Sequence, residues 1–234
     1  MKKEEWDNKK VLELFKKYRF NRYIERFSLQ GENTNTKEEM KFEVKEVNSK
    51  EDIEQLTVNI KKDKKMCYKL VLNDETSNNY IIPKKVIGTS ICIENTVYYY
   101  EFQNKQEEFF KEIFEDKEIS LIGYELSHDY ILLKQIGITP NNLAFDVKIA
   151  AYLLNPVSSK YPLDGLSMSY ADIDILDYLQ KNGVEEEKAQ LNLFETEVPK
   201  DSKKKQESII SVYAISKLQT ALEERLKEED SYTL

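Results

Sequence analysis

The chain carries one histidine, two cysteines and 43 acidic side chains among its 234 residues. That inventory narrows the chemistry on offer. A Ser-His-Asp triad or a histidine-based metal site is excluded in practice, because a single imidazole cannot supply it. Cys67 and Cys92 both fall inside apolar, strand-like runs. They read as small buried hydrophobes of a reducing compartment, not as a disulfide framework or a metal site. Carboxylates remain. Glu75 follows the strand-like run 66–72, and Asp129 lies in a helical pattern just beyond the run 119–122. The plain reading makes Glu75 a turn residue and Asp129 a surface acid on its helix. The chemical reading makes them hard oxygen ligands of the kind that suit Mg²⁺ or Mn²⁺.

The elements that must position these groups alternate between strand and helix. In 119–156 a short apolar run ends at Gly123, and a helical pattern follows through Leu126, Ile131, Leu132 and Ile136. Gly137 is its expected C-cap. After the ITPNN loop a second apolar helix is expected from about Phe145 to Pro156, with Asp146 or Asn142 as its cap. Upstream, 41–47 alternates like a half-buried strand, and Ser49 caps a helix to about Ile60. KKDKK at 61–65 reads as a solvated turn. The runs 66–72, 86–93 and 96–102 predict three antiparallel strands, the last two joined at Glu94 and Asn95. A crossover helix is expected over 106–115, with Phe109, Phe110, Ile113 and Phe114 on one face. The strand at 119–123 is expected parallel to the first. A helical pattern runs through Leu166, Ile173, Leu176 and Leu179. Residues 182–205 read as a mobile polar insertion, and 206–229 as one long helix with Leu218, Leu222 and Leu226 on a stripe. This is the grammar of an α/β domain. No run is apolar and long enough for a transmembrane helix, and MKKEEWDNKK has no signal-peptide core.

Three strings then resemble the 3′–5′ exonuclease domain of bacterial DNA polymerase I: Gly123 followed by Asp129, LAFDVKIAAYLLNP, and the YPLDGL that begins at Tyr161. The resemblance covers about 40–230. It implies a ribonuclease-H-like mixed β-sheet flanked by helices, the DnaQ-like 3′–5′ exonuclease fold. It also implies a domain map: 1–28 as the helical tail of a preceding 5′ nuclease domain, 29–39 as a linker, and 40–234 as the exonuclease-like domain. Active members hold two divalent metals, Mg²⁺ or Mn²⁺, with four carboxylates and a tyrosine. Carried over position by position, those places fall on Asn73, Glu75, Asp129, Tyr213 and Lys217. Asparagine and lysine stand where two carboxylates are needed. A lysine facing a dication at 4 Å trades attraction for repulsion of roughly 4 kcal/mol per unit charge. Only Glu75 and Asp129 persist as ligand remnants, so no metal or cofactor is expected in this domain. Lys217 is expected to sit against Asp129 or Glu75 in place of the cation.

The expected function is a catalytically silent exonuclease-like domain, a structural spacer in a cytoplasmic replication and repair polymerase. Its partners would be the polymerase and 5′ nuclease domains of the same parent chain, with DNA reached through the parent and no membrane. The alternatives are a weakly active metal-dependent 3′–5′ exonuclease and a binding module for single-strand ends. The net charge of −8 weighs against independent DNA binding.

Overall fold

Alternation of apolar and polar residues in six short segments produces one mixed sheet. The structure is a computed structural model and describes residues 7–17, 27, 41–73, 85–102, 107–182 and 200–229. Two compact units divide the chain, Met1–Lys41 and Phe42–Leu234. In the first, helix α1 spans Asn8–Lys17, and the Asp7 carboxylate accepts the Lys10 N–H at 3.3 Å. The described elements of the second unit run, in chain order, β1 (Glu43–Glu46), α2 (Lys50–Asp63), β2 (Lys65–Leu72), β3 (Val86–Ile93), β4 (Thr96–Glu101), α3 (Glu107–Glu115), β5 (Ser120–Gly123), α4 (Leu126–Gln135), β6 (Leu143–Asp146), α5 (Val147–Leu154), α6 (Leu163–Ala171), α7 (Ile175–Lys181) and α8 (Lys200–Glu228). The strand order is β1-β4-β3-β2-β5-β6. β3 is antiparallel to β2 and β4, and the remaining pairings are parallel.

Period-2 alternation along β2 sends Met66, Tyr68 and Leu70 to one face of the sheet and Cys67, Lys69 and Val71 to the other. The first face is covered by α2, α3 and α4. Leu56, Ile60, Phe110, Phe114, Leu126 and Leu133 pack there with Tyr68 and Tyr100 in one apolar cluster. Tyr68 and Phe114 meet edge to face at 4.9 Å between centroids. The second face is covered by α8, which packs on β2 and β3 and against α5, α6 and α7. A buried hydroxyl pair, Ser90 and Ser208 at 2.8 Å, pins α8 to β3.

Several local expectations hold. Ser49 caps α2 with a full capping box, its hydroxyl accepting the Asp52 N–H while Asp52 accepts the Ser49 N–H at 2.9 Å. Gly137 has φ +81, and the Ile138 N–H reaches back to the Leu133 carbonyl at 3.0 Å. The hairpin turns at Glu94 and Asn95, with Glu94 at φ 55.

Others are corrected. KKDKK is not a turn: 61–63 finish α2, Lys64 caps it in the left-handed region at φ 53, and Lys65 opens β2. The segment expected to start a helix near Phe145 is first a strand, β6, parallel to β5, and the helix begins at Val147. Ile131 does not join the buried face of α4; it is 56% exposed, and Leu133 and Asp129 are buried instead. The pattern after Pro162 divides into α6 and α7, with Asp172 at φ 54 between them and Leu176 exposed. The polar segment ends earlier than expected, since 200–205 are already helical in α8, and 183–199 lie outside the described residues.

Candidate functional site

The DVKIAAYLL string owes its aspartate to helix capping. Asp146 ends β6, next to Gly123 in the sheet register, so its carboxylate sits at the N-termini of both α4 and α5. It accepts the N–H groups of Lys148 at 2.8 Å and Ile149 at 3.4 Å on its own helix. It also accepts those of Leu126 at 2.8 Å and Glu125 at 3.3 Å at the start of α4. One carboxylate thereby satisfies orphan donors of two helices and faces two positive dipole ends. Gly123 allows the tight entry, because a Cβ there would lie 2.6 Å from Leu126 Cδ2. Glu125 takes the left-handed region at φ 62, and its carboxylate pairs with Lys148 at 2.6 Å, which holds its pKa below the ordinary range. A cleft of about 550 Å³ opens beside this crossing, lined by His128, Lys148, Ile149, Tyr152 and Tyr161 among others.

Asp129 lies one turn into α4 and is 3% exposed. Its Oδ2 has no hydrogen-bond partner, and neither has the Tyr68 hydroxyl. The two groups interact without closing a well-formed bond. Burial pushes the Asp129 carboxyl up to about 7, and the negative charges of Asp146 and Glu125 add to the rise. The charge opposing this is Lys69 on β2, whose ammonium also lies 5.7 Å from the Tyr124 ring centroid. Burial, with Asp129 next, drives the Tyr68 phenol well above its ordinary range. The result is an acid and a phenol held where β2 passes the start of α4, with the charge of Lys69 acting on the acid.

The residues singled out from the sequence do not all meet here. Asn73 closes a rung beyond β2: its N–H donates to the Lys85 carbonyl and its Oδ1 accepts the Lys85 N–H, both at 3.0 Å. Glu75 lies outside the described residues. Tyr213 is nearly buried on α8 and stacks on Phe42 at 4.5 Å. Lys217 donates to Asn95 Oδ1 at 2.7 Å, in the hairpin turn, and passes 5.2 Å from the Tyr213 ring. The expected pairing of Lys217 is with Asp129 or Glu75: Lys217 bonds Asn95 and not Asp129, Glu75 lies outside the described residues, and the cation whose charge acts on Asp129 is Lys69. The signal that could have found Lys69 is a lysine in the middle of the apolar strand MCYKLVL, since lysine is almost never buried without a partner.

Among the described residues no group of three His, Cys, Asp or Glu could hold a metal ion. Asp129 offers one carboxylate, and the Asn73 oxygen is committed to backbone. These described side chains do not fit a two-metal centre. No helix among the described residues is long and apolar enough to cross a membrane.

Comparison with known proteins follows the same outline. Residues 70–177 match the family described as DNA polymerase I, ribonuclease H-like domain. DNA polymerase I of Borreliella burgdorferi is 31% identical over 168 residues, covering 66% of this chain and 18% of that protein. This chain thus spans under a fifth of the length of that relative. Among solved structures, the POL domain of Pol1 from M. smegmatis, in complex with DNA primer-template and dNTP, superposes with a TM-score of 0.59 at 15% identity, over 81% of this chain and 28% of that one. Trypanosoma brucei RNase D in its GMP complex gives 0.58 at 13% identity, over 83% and 65%. The Aedes aegypti Nibbler EXO domain gives 0.55 at 10% identity, over 80% and 89%. At these identities the structural likeness speaks for the fold alone: a ribonuclease-H-like mixed sheet flanked by helices.

Proposed function

Because the chain carries the ribonuclease-H-like, 3′–5′ exonuclease-like domain of DNA polymerase I, we propose that this domain is catalytically silent and acts as a structural spacer in a replication and repair polymerase. The observation that supports this reading is that the remnant side chains are engaged elsewhere, Lys217 with Asn95 and Asn73 with Lys85, while the charge of Lys69 acts on Asp129. That positive charge opposes a dication at the one described carboxylate of the remnant site. Lys217 bonds the hairpin turn, Tyr213 stacks on Phe42, and Asn73 is bonded to Lys85. In this reading the polymerase and 5′ nuclease domains are partners within one cytoplasmic parent chain, and DNA is reached through them.

A second reading, a weakly active metal-dependent 3′–5′ exonuclease, is favoured by the buried and unpartnered Asp129 Oδ2. Glu75 would be its second ligand. A 3′-labelled single-stranded oligonucleotide with Mg²⁺ or Mn²⁺ separates the two. Silence predicts no release of nucleotide above the metal-only blank. Release that requires metal and disappears in Asp129→Ala supports the second reading and ends the first.

A further inference from the structure

Cys67 and Cys92 stand directly opposite each other on β2 and β3. Both are free and buried. They share the sheet face of Ser90, which bonds Ser208 of α8, so both thiols point beneath that helix. The Ser216 hydroxyl of α8 lies near both sulfurs, and the Cys92 thiol donates to the Glu94 carbonyl at 3.8 Å. The backbone parity is also set. Phe102 donates its N–H to the Ile87 carbonyl, so odd-numbered residues of β3 share backbone bonds with β4 and even-numbered ones with β2. Cys92 and Cys67 are thus a hydrogen-bonded pair, with Cα atoms about 5.5 Å apart, within the span a disulfide bridges.

We propose that Cys67 and Cys92 form a reversible cross-strand disulfide under hydroperoxide challenge, a redox lock that ties β2 to β3 beneath α8. One thiolate attacks a peroxide oxygen and becomes a sulfenic acid, releasing hydroxide that takes up the thiol's proton as water. The second thiolate attacks the sulfenic sulfur, the S–S bond forms, and the displaced hydroxide leaves as a second water. Two thiols and one hydroperoxide are consumed; the peroxide oxygens are reduced and both sulfurs oxidised. Thiol reductants reverse the bond, and the wide Cβ spacing of a hydrogen-bonded pair makes it easily reduced. Burial pushes the Cys67 thiol up to about 12, so the reaction is slow at neutral pH and accelerates as pH rises.

The test uses the full reduced chain and hydrogen peroxide at mildly alkaline pH, followed by intact mass and peptide mapping. The expected product is lighter by two hydrogens, contains a linked 67–92 peptide pair, melts higher than the reduced chain, and returns to it with dithiothreitol. Cys67→Ser and Cys92→Ser each lose the cross-link and instead leave a sulfenic acid trapped by dimedone on the remaining cysteine. Thiols that both remain alkylatable after challenge overturn the proposal. So does a native monomer oxidised to sulfinic acid without a link, or one whose sulfurs join only between molecules.

Discussion

Two aspartates seventeen positions apart, Asp146 at the end of β6 and Asp129 one turn into α4, live in opposite circumstances. Asp146 collects four backbone N–H groups from two helix starts. Asp129 is the more buried, and one of its oxygens has nothing. A carboxylate that fixes a fold is fully satisfied by its own chain. A buried carboxylate that its own chain does not satisfy keeps an oxygen short, as Asp129 does. The contrast separates a satisfied cap from an unsatisfied acid within one crossing of α4 and α5.

The sharpest way to break the contrast is Asp146→Ala. Losing caps on two helices should cost about 3 kcal/mol and lower the melting temperature by roughly 10 °C. Asp146→Asn keeps an acceptor oxygen and should lose about half of that. A loss below about 0.5 kcal/mol in the alanine variant would mean that the double cap is not what holds the crossing.

Asp129→Asn should move the other way. Its folded pKa of about 7 lies above the unfolded value of about 3.9, so the native state binds the proton more tightly. Between those values stability falls as pH rises, and the cost is complete above about pH 7. The isosteric amide removes it: stabilisation of about 2 kcal/mol at about pH 8, and almost none at about pH 4. Lys69→Met should have the reverse sign, weakening the fold by about 1 kcal/mol at about pH 8 and hardly at about pH 4. Denaturant melts of the two variants at both pH values decide it. An Asp129→Asn variant that is equally destabilised at both would make Asp129 a scaffold residue like Asp146.

Lys217→Ala should have the smallest effect, about 0.5 kcal/mol and equal at the two pH values, because it removes one partly exposed bond to Asn95. A pH-dependent loss would return Lys217 to the acids.

Much of the scaffold was legible because its signals are local. Ser49 with Asp52, Gly137 at the end of α4, and Asp146 before VKIAAYLL each act within a few residues. The hairpin at Glu94 and Asn95 is local as well. β6 was not legible: four residues, LAFD, run straight into an apolar helix, and periodicity cannot divide them. Only pairing with β5 makes them a strand. The candidate site was half legible for the same reason. Asp129 is in place, but the neighbours of its carboxyl come from strand register, which brings Tyr68 and Lys69 past the start of α4. Matching strings assigned Lys217 to that role; the path of α8 over the sheet assigns it to the hairpin turn.

Strand β1 occupies the sheet's outer edge and pairs only with β4, Glu43 opposite Thr96. During synthesis it emerges long before its partner exists. The β3–β4 hairpin closes a two-residue loop at little entropic cost, whereas β1 must close a loop more than fifty residues long, so it joins late. Its own sequence suits the wait. EVKE is exposed along its length, and charges at three of four positions keep an idle edge from recruiting a strand of another chain.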